Sequence, residues 1–269
     1  MLLAVDVGNS HSTVGVFEGE TLRCELRLAT RRGWTRDELA VALHQALGLV
    51  GIELASIDQA IIACVVPSVL GPLCEALERY VRVEALVVGP GIRTGMPIRY
   101  DSPQDVGADR IVTAVAAHER HRVMLGEGVE GGLIVVDFGT ATTFDVVSPK
   151  PEYLGGVIAP GIGIAADALF ERAAKLPRVD ISRPDRVVGR NTVGAIQSGL
   201  VYGYIGLVEG LIARIKAEVG WPCRVIATGG FAPMVAKESQ VIDVLDDALV
   251  LEGLRIIHGR NQHHGGRGR

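Results

Sequence analysis

Two stretches decide how this chain folds: Leu2-Leu-Ala-Val-Asp-Val-Gly-Asn-Ser10 and Leu133-Ile-Val-Val-Asp-Phe-Gly-Thr-Ala141. They superpose without a gap at a constant shift of 131 positions. Each is a short apolar run that reads as a buried strand, then an Asp, then a glycine turn rich in small hydroxyl or amide residues. Each continues into a second strand, Ser12–Phe17 and Thr142–Val147. Chance supplies the apolar part of two buried strands easily. It does not supply Asp-x-Gly at the same place with a hairpin after both. An internal repeat of this kind predicts two related α/β halves.

The turn chemistry suits phosphate. Glycine lets backbone N–H groups approach a polyphosphate, and the following Asn, Ser or Thr donates further hydrogen bonds. Like charges repel, so Asp6 and Asp137 would hold the cation that accompanies the phosphates. One such motif reads equally well as an Asp capping a tight turn. The matched pair points to a nucleoside triphosphate gripped from both sides.

Working outward, Glu18-Gly19-Glu20 is a hairpin signal into a strand at Thr21–Ala29. Thr35–Leu49 carries Leu39, Ala42, Leu43, Ala46 and Leu47 at helical spacing, with Thr35 as N-cap. Further strands are predicted at Gln59–Val65, Ala85–Val88, Leu133–Asp137, Leu154–Ile158 and Arg224–Ala227. Helices are predicted at Pro67–Tyr80, Asp105–Arg120, Gly161–Ala174, Val193–Val219 and Leu245–Ile257. A Gly/Pro-rich loop spans Gly89–Pro103. The reading is one subdomain over 1–118, a second over 119–258 that includes a dimerisation helix, and a disordered tail over 259–269.

Composition excludes several function classes. Apolar residues make up 48% and charged residues 22%, enough to bury a core and too apolar for disorder. Aromatics at 4% leave little to stack on single strands, and a net charge of −4 speaks against a nucleic-acid partner. Cys24, Cys64, Cys74 and Cys223 form no C-x-x-C pair, which predicts buried free thiols in a reducing cytoplasm. The N-terminus has no basic leader and meets Asp6 at once, unlike a signal peptide. Asn191–Val208 is uncharged, but its polar residues and glycines predict a buried helix rather than a membrane span.

The pair Asp6-Val-Gly-Asn-Ser and Asp137-Phe-Gly-Thr-Ala-Thr-Thr resembles the phosphate hairpins of the acetate and sugar kinase/Hsp70/actin superfamily. That resemblance implies two RNase H-like (actin-like ATPase) subdomains around a nucleotide cleft. Thr228-Gly-Gly resembles the strand-end glycines that receive adenosine there, and is equally an ordinary strand-to-helix turn. Gly89-Pro-Gly-Ile-Arg-Thr-Gly-Met-Pro-Ile-Arg-Tyr100, Asp105-Val-Gly-Ala-Asp-Arg110 and Gly155-Gly-Val-Ile-Ala-Pro-Gly161 narrow the match. Together with the hairpins they are similar to type III pantothenate kinases over most of the chain. The main departure is Ser10, where many relatives carry Thr; the hydroxyl is retained.

The resemblance implies ATP-dependent phosphorylation of the pantothenate primary hydroxyl to 4'-phosphopantothenate, the first step of coenzyme A synthesis. Asp109 would be the general base, in reach of the hydroxyl at a helix start. Left to itself, Asp109 reads as a helix N-terminal carboxylate beside the dipole. Tyr100, Gly107, Ala108, Asp109, Arg110 and Thr192 would bind pantothenate, Thr192 from the neighbouring subunit of a homodimer. Asp6, Val7, Gly8, Asn9, Ser10, His11, Ser12, Thr13 and Thr140 would bind ATP. Asp6 would lie near Mg²⁺ through water, and Asp137 would help hold a monovalent cation, K⁺ or NH₄⁺.

Gly199, Gly203, Gly206 and Gly210 also offer one helical face for close packing, either between subunits or within the chain. The competing functions are a kinase for acetate, a sugar or another small substrate, and a non-catalytic regulatory or accessory protein. A Rossmann oxidoreductase is the weakest rival, because Gly89–Gly95 has the wrong spacing for a dinucleotide fingerprint.

Overall fold

The computed structural model describes residues 1–122, 131–173 and 176–262. Two compact units divide it: Met1–Arg120 together with the chain from Ala248 onward, and His121–Asp247. Each holds a five-stranded sheet. In the first, β1 (Leu2–Val7), β2 (His11–Glu18), β3 (Thr21–Ala29), β4 (Gln59–Cys64) and β5 (Ala85–Val87) are ordered β3-β2-β1-β4-β5. In the second, β6 (Gly132–Phe138), β7 (Ala141–Val147), β8 (Tyr153–Pro160), β9 (Cys223–Thr228) and β10 (Val244–Leu245) are ordered β10-β9-β6-β7-β8. Each central strand pairs antiparallel with the strand that follows it and parallel with a later one. The duplicated α/β architecture read from the repeat is therefore present.

Local chemistry explains the helices. The helix α1 (Arg36–Leu49) starts on a capping box, in which the Thr35 amide donates to Glu38 Oε2 at 2.9 Å and the Glu38 amide to Thr35 Oγ1 at 3.3 Å. With α2 (Pro67–Ala76) it covers one face of the first sheet. There Leu39, Leu43 and Leu47 meet Leu3, Val5, Val7, Val14 and Val16. In the second unit, α5 (Thr192–Val219) lays Val201, Tyr204, Val208 and Ile212 on Ile134, Val136, Phe138 and Phe144. By length and composition α5 passes for a membrane span, but its apolar side serves the core.

Several sequence expectations need correction. The helix expected from Asp105 is split: Pro103–Asp105 forms a 3-10 turn, and α3 runs Ala108–His121. The short α6 (Ala232–Glu238) and β10 carry too few residues to show a period, and Leu245, expected to start the last helix, ends β10. That helix, α7, spans Leu249–Gln262, so residues 259–262 are helical rather than tail, while 263–269 lie outside the described residues. The last helix also belongs to the first unit, not to the C-terminal half. A Cβ on Gly15 would stand 2.8 Å from Leu251, and a Cβ on Gly253 would collide with the Val112 carbonyl of α3. The four cysteines are free thiols but half-buried rather than buried.

This packing predicts opposite outcomes at two glycines of one helix. Gly253→Ala should destabilise the protein by about 1–3 kcal/mol through overpacking against α3. Gly259→Ala, where beyond the helix's own backbone no atom of the described residues stands within 4 Å of the Cβ position, should stabilise it by up to about 1 kcal/mol through helix propensity. Urea unfolding of both variants checks the pair of signs.

Candidate active site

In the first phosphate hairpin the Gly8 amide donates to the His11 carbonyl at 3.1 Å, and a Cβ on Gly8 would stand 2.9 Å from that oxygen. The turn is therefore too tight for a side chain there. It leaves Asn9, Ser10 and His11 exposed at the tip, with Asp6 and Thr13 half-buried behind them. Val7 is buried in the core and offers only backbone to a ligand. Ser12 braces the turn, its hydroxyl 2.9 Å from that of Thr30, while the Thr30 amide donates to the Ser10 carbonyl at 3.0 Å.

The second hairpin is one residue shorter. Asp6 stands opposite Thr13, whereas Asp137 stands opposite Thr143, so the gap-free shift holds through the first strand and fails at the turn. The Gly139 amide closes that turn on the Ala141 carbonyl at 3.0 Å and leaves Thr140 exposed. A Cβ on Gly161 would collide with the Thr140 carbonyl, so the N-terminus of α4 (Ile162–Arg172) is seated directly behind the turn. Gly229 has φ of +92°, and its Cβ would stand 2.5 Å from Asp137 Oδ1 and 2.7 Å from the Phe138 carbonyl. The first glycine after Thr228 is thus required by its own turn against Asp137. Sequence reasoning did not single out Asp145, a fully buried carboxylate that accepts from Tyr153 Oη at 2.7 Å and Thr143 Oγ1 at 3.0 Å. Only the strand register places it two residues beyond the row of Asp137.

The Gly107–Arg110 motif reaches the first hairpin through β4. The Val65 amide donates to the Val7 carbonyl at 3.0 Å, and a Cβ on Gly107 would stand 3.7 Å from Val65 Cγ1. A Cβ there would also collide with Asp109 Oδ1, so glycine leaves room for the carboxylate. Asp109 lies in the first turn of α3 and accepts the Arg110 amide at 2.8 Å. Burial pushes its carboxyl above the usual aspartate value, outweighing that hydrogen bond and the Arg110 charge. The shift makes the carboxylate a better base. Arg110 is buried, and Tyr100 is exposed.

The loop that carries Tyr100 is held by residues assigned to the tail. Asn261 Nδ2 donates to the Arg93 carbonyl, and its Oδ1 accepts the Arg93 amide, both at 3.1 Å. Arg260 donates to the Thr94 carbonyl and pairs with Glu119 at 2.8 Å. Nothing local in Gly-Arg-Asn-Gln announces this role.

Thr192 lies in the second unit as the first residue of α5, after an Asn191 cap that accepts the Gly194 amide at 2.8 Å. It is exposed and lines a groove of about 740 Å³ with Leu169, Leu176, Ile196 and Leu200. Beyond their own helix backbone, Gly199, Gly203 and Gly206 have no described atom within 4 Å of their Cβ positions, so their face is not used for packing among the described residues. No group of three or more His, Cys, Asp or Glu gathers among the described residues.

The family model described as type III pantothenate kinase matches residues 2–214. The type III pantothenate kinase of Myxococcus xanthus (strain DK1622) is 52% identical over 261 residues, 97% of this chain and 99% of that protein. That of Moorella thermoacetica is 51% identical over 97% of this chain and 100% of its own length. Among solved structures, the archaeal actin homolog Ta0583 aligns over 97% of this chain and 99% of its own, with TM-score 0.55 at 14% identity. The ethanolamine utilization protein EutJ from Carboxydothermus hydrogenoformans aligns over 95% and 89%, with TM-score 0.51 at 16% identity. The structural likenesses show an actin-like fold. The near-full-length sequence identity goes further, and with it this chain belongs to the type III pantothenate kinase family.

Proposed function

We propose that the protein transfers the γ-phosphoryl group of ATP to the primary hydroxyl of pantothenate, giving ADP and 4'-phosphopantothenate on the route to coenzyme A. The observation that carries this reading is Asp109: a carboxylate with a raised pKa, on a motif whose Gly107 lies beside Val65, the residue hydrogen-bonded to the end of β1. Phosphoryl transfer asks little covalent chemistry of a protein beyond positioning and charge stabilisation. The hydroxyl oxygen bonds to the γ-phosphorus as the bond to the β–γ bridging oxygen breaks, and the hydroxyl proton passes to Asp109. The forked donors of Arg110 fit the pantothenate carboxylate or the moving phosphoryl group. Gly107 and Ala108 would present backbone to pantothenate, and Tyr100 would close over it.

ATP would be held by the 6–13 turn and by Thr140, with the start of α4 adding its positive dipole end. Adenosine would lie against Thr228-Gly-Gly. Asp6 would hold Mg²⁺ through water, and Asp137, with the Phe138 carbonyl near it at Gly229, would help hold a K⁺ or NH₄⁺ ion. When bound, these ions would neutralise phosphate charge. A second copy of the chain would cover the groove and the open glycine face of α5, bringing Thr192 into the neighbouring pantothenate site. The free thiols and the ATP substrate fit the cytoplasm.

A coupled ADP-release assay with ATP, Mg²⁺ and K⁺ should show turnover that requires pantothenate and is absent with acetate or sugars; no pantothenate-dependent turnover would overturn the assignment. In the same assay Asp109→Asn should lose at least ~10²-fold in kcat. The raised pKa of Asp109 has a second consequence. Between the unfolded value near ~4 and the higher folded value the native state binds the extra proton, so this group lowers stability as pH rises. Asp109→Asn should therefore melt above the wild type at neutral pH, and the gap should close as pH falls to ~4. Sedimentation should give a dimer, and a fully active monomer would remove Thr192 from the site.

A further inference from the structure

The outer wall of the first phosphate turn is basic. Asp6, Thr13 and Arg27 stand opposite one another across β1, β2 and β3, so a carboxylate, a hydroxyl and a guanidinium share one row at the phosphate end of the sheet. The matching row of the second sheet reads Asp137, Thr143 and Ile158, the last an exposed apolar residue. The first hairpin therefore carries a cation where the second carries none. Just past β3 the chain returns to the turn through Thr30, and Arg32 follows.

Both guanidinium groups rest on the exposed tip. Arg32 Nη2 lies 3.3 Å from Asn9 Oδ1, and Arg27 Nη2 lies 3.5 Å from His11 Nδ1. These are long contacts to an amide oxygen and an imidazole nitrogen rather than to a carboxylate, easily exchanged for a stronger partner. Arg23 and Arg36, on either side in sequence, pair with carboxylates at 3.5 and 3.3 Å. Arg31 stacks on the Trp34 ring at 5.2 Å. Among the described residues Arg27 and Arg32 form no ion pair with a carboxylate, in a chain whose net charge is −4.

We propose that Arg27 and Arg32 are phosphate ligands of the kinase, closing over the 9–11 tip onto the terminal phosphates of ATP. The inference rests on the ATP-dependent kinase reading and adds two charged ligands to it. A triphosphate keeps net negative charge after one divalent cation has bound it, and the transferring group spreads charge over its three equatorial oxygens. Forked guanidinium donors match those oxygens, and Asp6 on the same row cannot, since it carries the same sign as the phosphates.

The test is calorimetric titration of the full chain with Mg²⁺-ATP and with adenosine, in the absence of pantothenate. Arg32→Gln and Arg27→Gln should each weaken ATP at least ~10-fold and leave adenosine unchanged, the scale of one lost charge-assisted hydrogen bond. Arg32→Lys should restore part of the loss, supplying the charge without the fork. In steady state the KM for ATP should rise while that for pantothenate stays fixed. Three results would overturn the proposal: ATP affinity unchanged in both variants, ATP and adenosine weakened equally as by a distorted turn, or the same loss in Arg23→Gln as by net charge alone. A wild-type protein that fails to bind ATP would remove the kinase reading as well, whereas retention of ATP in both variants removes only this one.

Discussion

The Val7 carbonyl accepts the amide of Val65 at 3.0 Å, just past the last paired residues of β1 and β4, and the first glycine turn and the Asp109 motif are brought together around that bond. It keeps β1 between an antiparallel neighbour on one side and a parallel one on the other. The chain leaves β1 through a turn that must be tight, because β2 returns directly beside it. It leaves β4 at the same edge, so whatever follows β4 in space is delivered to the phosphate turn. Gly107 leans on Val65 and carries Asp109 with it. Two motifs a hundred residues apart thus meet at the carboxyl ends of parallel strands, where open α/β sheets commonly place their ligands.

The two halves share a topology and spend it differently. In the first sheet Gly15, two residues beyond Thr13, leaves space for Leu251 of α7. Asp145 occupies the matching place in the second sheet, two residues beyond Thr143, and its buried carboxylate is satisfied by Tyr153 and Thr143. A buried carboxylate needs such partners, and a helix pressed on a sheet needs an absent side chain. The turns have diverged as well, the second being one residue shorter and backed by the start of α4. Duplication supplied the frame, and packing on each sheet decided which row became polar.

Features fixed by near neighbours were legible in the sequence. The Thr35–Glu38 capping box spans three residues, and both hairpins lie within about twenty, so their chemistry could be read along the chain. Legibility failed where a long-range contact or a very short element was decisive. Leu251, Leu254 and Ile257 announce an apolar helix face, but not that it covers the first sheet rather than the second. Arg260 and Asn261 look like the start of a polar tail and instead clamp the loop at Arg93 and Thr94. Val244–Leu245 is too short to show a period, and its neighbour Asp246 is fixed by a backbone bond to Ala227.

By itself the sequence determined the duplicated α/β frame, the two Asp-x-Gly turns and the motif that carries Asp109, because periodicity, glycine turns and Asp-x-Gly are local statements. The tertiary structure alone decided what surrounds them. Burial pushes up the Asp109 carboxyl, register lines Arg27 up with Asp6 and Thr13, and the returning α7 holds the Gly89–Pro103 loop at Arg93. The physical reason is common to all three. A pKa depends on the solvent a fold excludes, a strand row on pairing between distant segments, and a helix seat on which neighbour leaves room for it.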